Sequence, residues 1–243
     1  MKFTYSEYAN LLVKLLEKGY QPSDYHDYAG KNRPVILRHD IDTSIKKAVK
    51  MSAVERQLGV KSTYFVLLTS DFYNTLSLES IRGLKQILID GNKIGLHFDE
   101  MRYPECAGNP NMVVDKIINE KEILEKFLNI PIDTVSMHRP SKQILDADLI
   151  IPGMVNSYGS EFFKNFKYIS DSRRRWREPV EEIIESEKYN KIHILTHAFW
   201  YNDEELNIYD SINENIQTAK YDRYKCFYDN VSNLQEIIKE NEI

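Results

Sequence analysis

Short apolar runs that end in polar residues recur along this chain, and between them apolar residues fall at helical spacing. Tyr8, Leu11, Leu12, Leu15 and Leu16 predict a helix over 5–18 that Gly19 stops. Val35, Ile36 and Leu37 open a strand over about 35–40, followed by a helix from near Ser44 to Leu58 that Gly59 ends. The β-branched and aromatic stretch Ser62–Leu68 reads as a second strand. A helix over 78–90, a strand over 93–98, an amphipathic helix over 111–128 and a strand over 133–138 come next. Residues 140–167 predict short, irregular strand–helix units, with a brief strand at Tyr168–Ser170 and a clear one at 191–196. Tyr224, Phe227, Val231, Leu234 and Ile237 share one face of a tail helix over about 218–241. Strand and helix alternate throughout, so the strands should be parallel with crossover helices, an α/β fold in one domain spanning 1–243.

The polar tips are where chemistry is expected. Side chains alternate along a strand, so Asp40 and Asp42 should point the same way, and two adjacent carboxylates stay ionised only beside a cation or strong donors. His97, His138 and His197 each follow a further apolar run. Polar residues gathered at the C-terminal ends of parallel strands are the usual seat of function in α/β barrels, and these point to a metal site at a barrel rim. Each has a plainer alternative. Asp42 would serve as a helix N-cap ahead of Thr43-Ser44, His138 as a strand end before Pro140, and the aromatic run Phe199-Trp200-Tyr201 as core closure rather than a platform for a sugar ring. His39 has the opposite parity and should pack outward, His193 lies deeper and reads as a core histidine, and nothing singles out His26.

The 42% apolar and 12% aromatic fractions of the 243 residues are enough for a sizeable core. A net charge of −5 argues against nucleic acid or an anionic membrane as partner. Arg173-Arg174-Arg175 is the exception, either a solvated loop or a contact for an anionic substrate such as a nucleotide-sugar phosphate. No apolar signal core or membrane-length run is present, and Cys106 and Cys226 are isolated, so a cytoplasmic protein with free thiols is expected.

Five motifs, in order, resemble those of the polysaccharide deacetylases, carbohydrate esterase family 4, in a divergent branch associated with surface-polysaccharide biosynthesis. They are Arg38-His39-Asp40-Ile41-Asp42, Ile94-Gly95-Leu96-His97, Met137-His138-Arg139-Pro140-Ser141, Ser170-Asp171-Ser172 with Trp176, and Leu195-Thr196-His197. The resemblance covers about 35–201. It implies a distorted (β/α) barrel of about seven parallel strands with N- and C-terminal accessory helices. It also implies a divalent metal, zinc first and cobalt, nickel or manganese as alternatives, and hydrolysis of a sugar acetamido group. By position Asp40 matches the catalytic base, Asp42 and His97 match metal ligands, and His197 matches the histidine that protonates the leaving amine. Asp171 and Trp176 match the motif that supports the site and lines its groove.

The chain departs from the family pattern in three places. Ile41 separates the two aspartates, and Met101, a poor zinc ligand, stands where a second histidine is usual. His138 is the nominated third ligand, with His39, Asp99 and Glu100 as the alternatives. The arginine that orients the base is usually two residues before the proline, where His138 stands, so that role falls to His138 or to Arg139, with Arg139 also expected at the substrate. Trp176, Trp200 and Tyr201 are expected to offer flat faces to a pyranose ring, and a backbone N–H near Ser141 to assist at the oxyanion. The expected substrate is an N-acylated sugar, nucleotide-linked or lipid-linked. A hydrolase of a non-sugar amide on the same barrel and a degenerate, non-catalytic sugar-binding protein are the competing readings.

Overall fold

Helix α1 (Tyr5–Glu17) opens the chain in a computed structural model that describes residues 1–243, and the short strand β1 (Gln21–Ser23) follows it. Next come β2 (Pro34–Ile41), α2 (Ile45–Leu58), β3 (Thr63–Leu67), α3 (Leu78–Ile89), β4 (Lys93–Phe98), α4 (Pro110–Leu128) and β5 (Thr134–Met137). The short elements α5 (Lys142–Asp146), β6 (Val155–Asn156) and α6 (Ser160–Lys164) lead to β7 (Lys167–Ser170), α7 (Val180–Glu185) and β8 (Ile192–Thr196). These belong to one unit, Met1–Asp203; a second, Glu204–Ile243, holds α8 (Ile208–Tyr228) and α9 (Leu234–Ile237). Sequence spacing started the tail helix too late, because the side chain of Asn207 caps α8 by accepting from the Asp210 amide. The same spacing ran on past Tyr228, where α8 ends, and through Asn233, which is left-handed (φ 59°) just before α9. Strand β1, three residues including a proline, has no periodic signal and was not anticipated.

Strand order is β6-β5-β4-β3-β2-β8-β7, every pairing is parallel, and β1 extends the sheet beside the start of β2. Seven parallel strands therefore form a curled half-barrel with helices around it, the distorted (β/α) barrel that was expected. All eight residues of β2 are buried, as befits a strand covered on both faces. Val35, Leu37 and Ile41 face the helix layer, in one cluster with Met51 of α2, Leu84 of α3 and Ile117 of α4. Ile36 faces the opposite way, into a smaller inner cluster with Tyr25, Phe65, Phe162 and Phe166. Gly95 makes room for this cluster: a Cβ there would lie 2.6 Å from a Phe65 ring carbon and 3.0 Å from the Thr134 carbonyl.

His39 faces outward from β2, as its parity predicted. Its Nε2 lies 2.7 Å from Glu55 Oε1, and its Nδ1 lies 2.5 Å from the Thr196 hydroxyl. Glu55, fully buried on α2, also accepts from Tyr8 (2.6 Å), Ser62 (2.9 Å) and Tyr64 (2.7 Å). A carboxylate with this many donors is compensated for lost hydration, so the network ties α1, α2, β2 and β3 together behind the mouth of the barrel.

Glu120 of α4 is compensated far less. It is buried, accepts from the Tyr103 hydroxyl at 2.6 Å, and leaves Oε2 without a donor. Burial, with a further push from Asp99 and against the Tyr103 bond, raises its pKa to about 7. A raised carboxyl favours the fold fully below its unfolded value and loses that contribution as pH rises through about 7. Glu120→Gln should therefore raise the unfolding free energy from urea titration clearly at about pH 8, by about 1–3 kcal/mol, and little at about pH 5. Equal shifts at both values would show that the carboxyl is not protonated in the folded chain.

Candidate functional site

Alternation along β2 places Arg38 and Asp40 on its inner face, and Asp42 continues the same face just beyond the strand. Register carries that face across the sheet, with His97 opposite Leu67 of β3 and Ser136 opposite His97. His138 follows β5, and its amide still donates to the Phe98 carbonyl at 2.8 Å, so its position is set by the ladder. The N-cap of α2 is Ser44, not Asp42, which leaves the Asp42 carboxylate for the mouth.

Three atoms converge there. Asp42 Oδ1 lies 3.2 Å from His97 Nε2 and 3.2 Å from His138 Nδ1, and the two nitrogens are 3.1 Å apart. Asp42 Oδ1 is buried and lacks a hydrogen-bond donor of good geometry. An orphaned carboxylate oxygen facing two imidazole nitrogens in a near-equilateral triangle suits a small divalent cation. Tetrahedral zinc with bonds near 2.0–2.1 Å has ligand–ligand edges of about 3.3–3.4 Å. The donor set of one carboxylate and two imidazoles is also suitable chemically. The His97 ring is oriented from behind, its Nδ1 lying 3.1 Å from the Ser136 hydroxyl. Burial would raise the Asp42 pKa, but its contacts with His138 and His97 hold it well below the usual carboxylate range.

Asp40 flanks the triangle, with Oδ2 3.6 Å from His97 Nε2. Arg38, fully buried, grips it with two bonds, Nε to Oδ1 at 2.8 Å and Nη2 to Oδ2 at 2.7 Å. The same Nη2 donates to Ser136 Oγ, and the guanidinium lies 4.7 Å from the centre of the Tyr158 ring and 5.4 Å from that of Phe65. Burial would push the Asp40 carboxyl up, but Arg38 and then His97 hold it down, so it is ionised at neutral pH. Sequence reasoning assigned no role to Arg38 or Ser136. The signal for Arg38 was present in its strand parity with Asp40.

On the other side stands His197, with Nε2 3.9 Å from Asp42 Oδ2. Its Nδ1 bonds Asp171 Oδ1 at 2.6 Å, and its amide reaches both oxygens of that fully buried carboxylate at 3.1 Å. Burial would lower the imidazole pKa, but Asp171 overrides it and raises the value to about 9.

The remaining expected residues lie elsewhere. His39 is on the outer face, Asp99 pairs with Arg139, and Glu100 accepts from the Ser141 amide at 2.8 Å and hydroxyl at 2.9 Å. Of the nominated third ligands, only His138 reaches the triangle. The Ser141 N–H, expected to assist at an oxyanion, is already taken by Glu100. Arg139 points to solvent with its side chain 59% exposed and does not touch Asp40. Met101 is also exposed, at 65%. Trp176 and Trp200 are half-buried against the outer cluster. Tyr201 is fully buried edge-on between Phe3 and Tyr8, so it has no free face for a sugar.

No family model matches the chain, and no curated protein sequence matches it. Solved structures similar to it include the catalytic domain of a peptidoglycan N-acetylglucosamine deacetylase from Eubacterium rectale. That pair is 14% identical over 79% of this chain and 86% of that chain, with a TM-score of 0.47. A family 4 acetyl xylan esterase from Clostridium thermocellum, solved in complex with a cobalt ion, is 12% identical over 76% of this chain and 83% of that one (TM-score 0.44). A CE4 family pseudoenzyme from Bacillus anthracis is 13% identical over 78% of this chain (TM-score 0.45), and the match takes in only 61% of that longer chain.

If Asp171 holds the proton on His197, the metal-free protein should show an imidazole resonance titrating near pH 9. Asp171→Asn should move that transition down toward the ordinary value of about 6.5. A wild-type titration already near the ordinary value would break the assignment.

Proposed function

We propose that this chain is a metal-dependent hydrolase that removes an N-acetyl or related acyl group from a sugar or sugar precursor, as part of surface-polysaccharide biosynthesis. The observation that supports it best is the Asp42–His97–His138 triangle, set between the Arg38-held carboxylate of Asp40 and the Asp171-held imidazole of His197. Acyl-amide hydrolysis needs an activated water, a polarised carbonyl and a proton for the leaving amine. A divalent cation, zinc by preference, held by Asp42, His97 and His138 would supply Lewis acidity and a water acidified to about pKa 7.

The chain's own groups would do the rest. Asp40, ionised and fixed by Arg38, takes the proton of the attacking water. Its lowered pKa keeps it ionised and able to accept at neutral pH, and the acidity of that water would narrow the gap the proton has to cross. His197, charged at neutral pH, orients Nε2 toward the mouth and gives its proton to the amine nitrogen as the C–N bond breaks. Asp171 keeps the imidazole in place and stabilises its charged form. Trp200 and Trp176 are the aromatic candidates at the sugar, and Arg139, exposed beside His138, contacts a polar part of the substrate. No helix is long and apolar enough to cross a membrane. Two unpaired cysteines fit a reducing compartment, and a cytoplasmic, carrier-linked N-acyl sugar is the proposed substrate.

Elemental analysis of the purified chain should find about one divalent transition metal per protein, lost in His138→Ala and in His97→Ala. Asp40→Asn should keep the metal while lowering acetate release from N-acetylated sugars about 10²-fold or more. Wild-type protein that takes up neither zinc nor cobalt would leave the non-catalytic sugar-binding reading. Metal uptake with ring opening of cyclic amides and no acetate release would move the substrate off sugars.

A further inference from the structure

We propose that the segment Ser172–Arg177 is an anion subsite that takes a phosphate or diphosphate carried by the sugar substrate, an inference that rests on the sugar-deacylation reading. Arg173, Arg174, Arg175 and Arg177 crowd into five positions immediately after Asp171, the residue that holds His197. They are thus tethered at the same rim of the barrel as the reacting groups.

The segment is built rather than loose. The Arg175 amide donates back to the Asp171 carbonyl at 3.1 Å, the Arg177 amide to the Ser170 carbonyl at 3.4 Å, and the Ser172 amide to the Ser170 hydroxyl at 3.1 Å. Arg173 and Arg174 both take left-handed backbone, with φ of 62° and 56°, a region that side chains other than glycine enter at a cost. Arg174 packs inward, its guanidinium 5.1 Å from the centre of the Phe3 ring. Arg173, Arg175 and Arg177 are exposed.

Their charges are also left uncompensated. The chain carries a net −5, and the stretch just downstream is rich in carboxylates, yet four of its five glutamates, all but the exposed Glu182, are drawn to other cations. Glu178 pairs with Lys167 at 2.5 Å, Glu181 with Lys14 at 3.6 Å, Glu185 with Lys18 at 2.8 Å and Glu187 with Arg33 at 2.9 Å. Three exposed guanidiniums within six residues of Asp171, with most of the neighbouring acids engaged elsewhere, match a compact dianion. Guanidinium forks bind phosphate oxygens in pairs. The overall negative charge disfavours a polyanion or an anionic membrane but does not oppose one or two phosphates on a single sugar.

The test is calorimetric binding to wild type and to the R173Q/R175Q/R177Q variant. The probes are N-acetylglucosamine, its 1-phosphate and its uridine diphosphate conjugate. Wild type should bind the phosphorylated sugars at least about tenfold more tightly than the neutral one, and the preference should shrink with added salt. The variant should lose the preference while keeping its thermal midpoint. If the triple variant does not fold, each single Arg→Gln change should lower the preference by about twofold or more. A 1-phosphate bound as tightly as the conjugate identifies the phosphate itself as the ligand, whereas a gain confined to the conjugate identifies the diphosphate. Equal affinities in wild type, or a preference that survives in the variant, would overturn the subsite. Acetate release is read separately. A phosphate preference without it keeps the subsite and removes the deacylation reading, and acetate release without a preference does the reverse.

Discussion

A guanidinium buried beneath the mouth of the barrel is the constraint on which the site depends. Arg38 is fully buried and cannot lose its charge, so the interior has to supply an anion, and Asp40 two residues along the same strand is that anion. The pairing fixes the Asp40 carboxylate in orientation and in protonation. The same guanidinium donates to Ser136, whose hydroxyl meets His97 Nδ1, so one cation orients both the carboxylate and an imidazole of the triangle. The rings of Tyr158 and Phe65, 4.7 and 5.4 Å from the guanidinium carbon, add cation–π attraction. Replacing either member of such a pair would leave a buried charge uncompensated, a larger loss than the pair's own contribution to stability.

The outer face of β2 carries a second buried polar assembly, and the two are linked through a single residue step. His39 is anchored to Glu55 and Thr196 while its neighbour Asp40 is anchored to Arg38, so the strand end is clamped from both sides. Thr196 immediately precedes His197, which brings β8 into the same arrangement. A site that must hold several side chains within fractions of an ångström benefits from placement on strands whose backs are pinned in this way.

Much of this was legible in the chain. Apolar runs and helical spacing located every strand of the sheet except the short β1 and β6, and parity separated inward Asp40 and Asp42 from outward His39. The same reasoning failed where tertiary contacts overrule local pattern. Tyr201 looked like a platform for a ring because it follows His197 in an aromatic run, but packing against Phe3 and Tyr8 takes it into the core. Arg139 was weighed with His138 as the residue orienting the base because it stands by a proline motif, yet it pairs with Asp99 instead.

The sequence by itself determined the parallel α/β architecture and which side chains stand at the strand tips, because alternation and periodicity are local properties of the backbone. Which of those side chains meet was decided only by the curl of the sheet. Closing β5, β4 and β2 around one axis brings His138, His97 and Asp42 within hydrogen-bond range although they are far apart in the chain. The same closure sets Arg38 against Ser136, and Asp171 against His197. Such pairings depend on register between strands and on the size of the residues between them, such as Gly95 beside Phe65, and no local pattern encodes either.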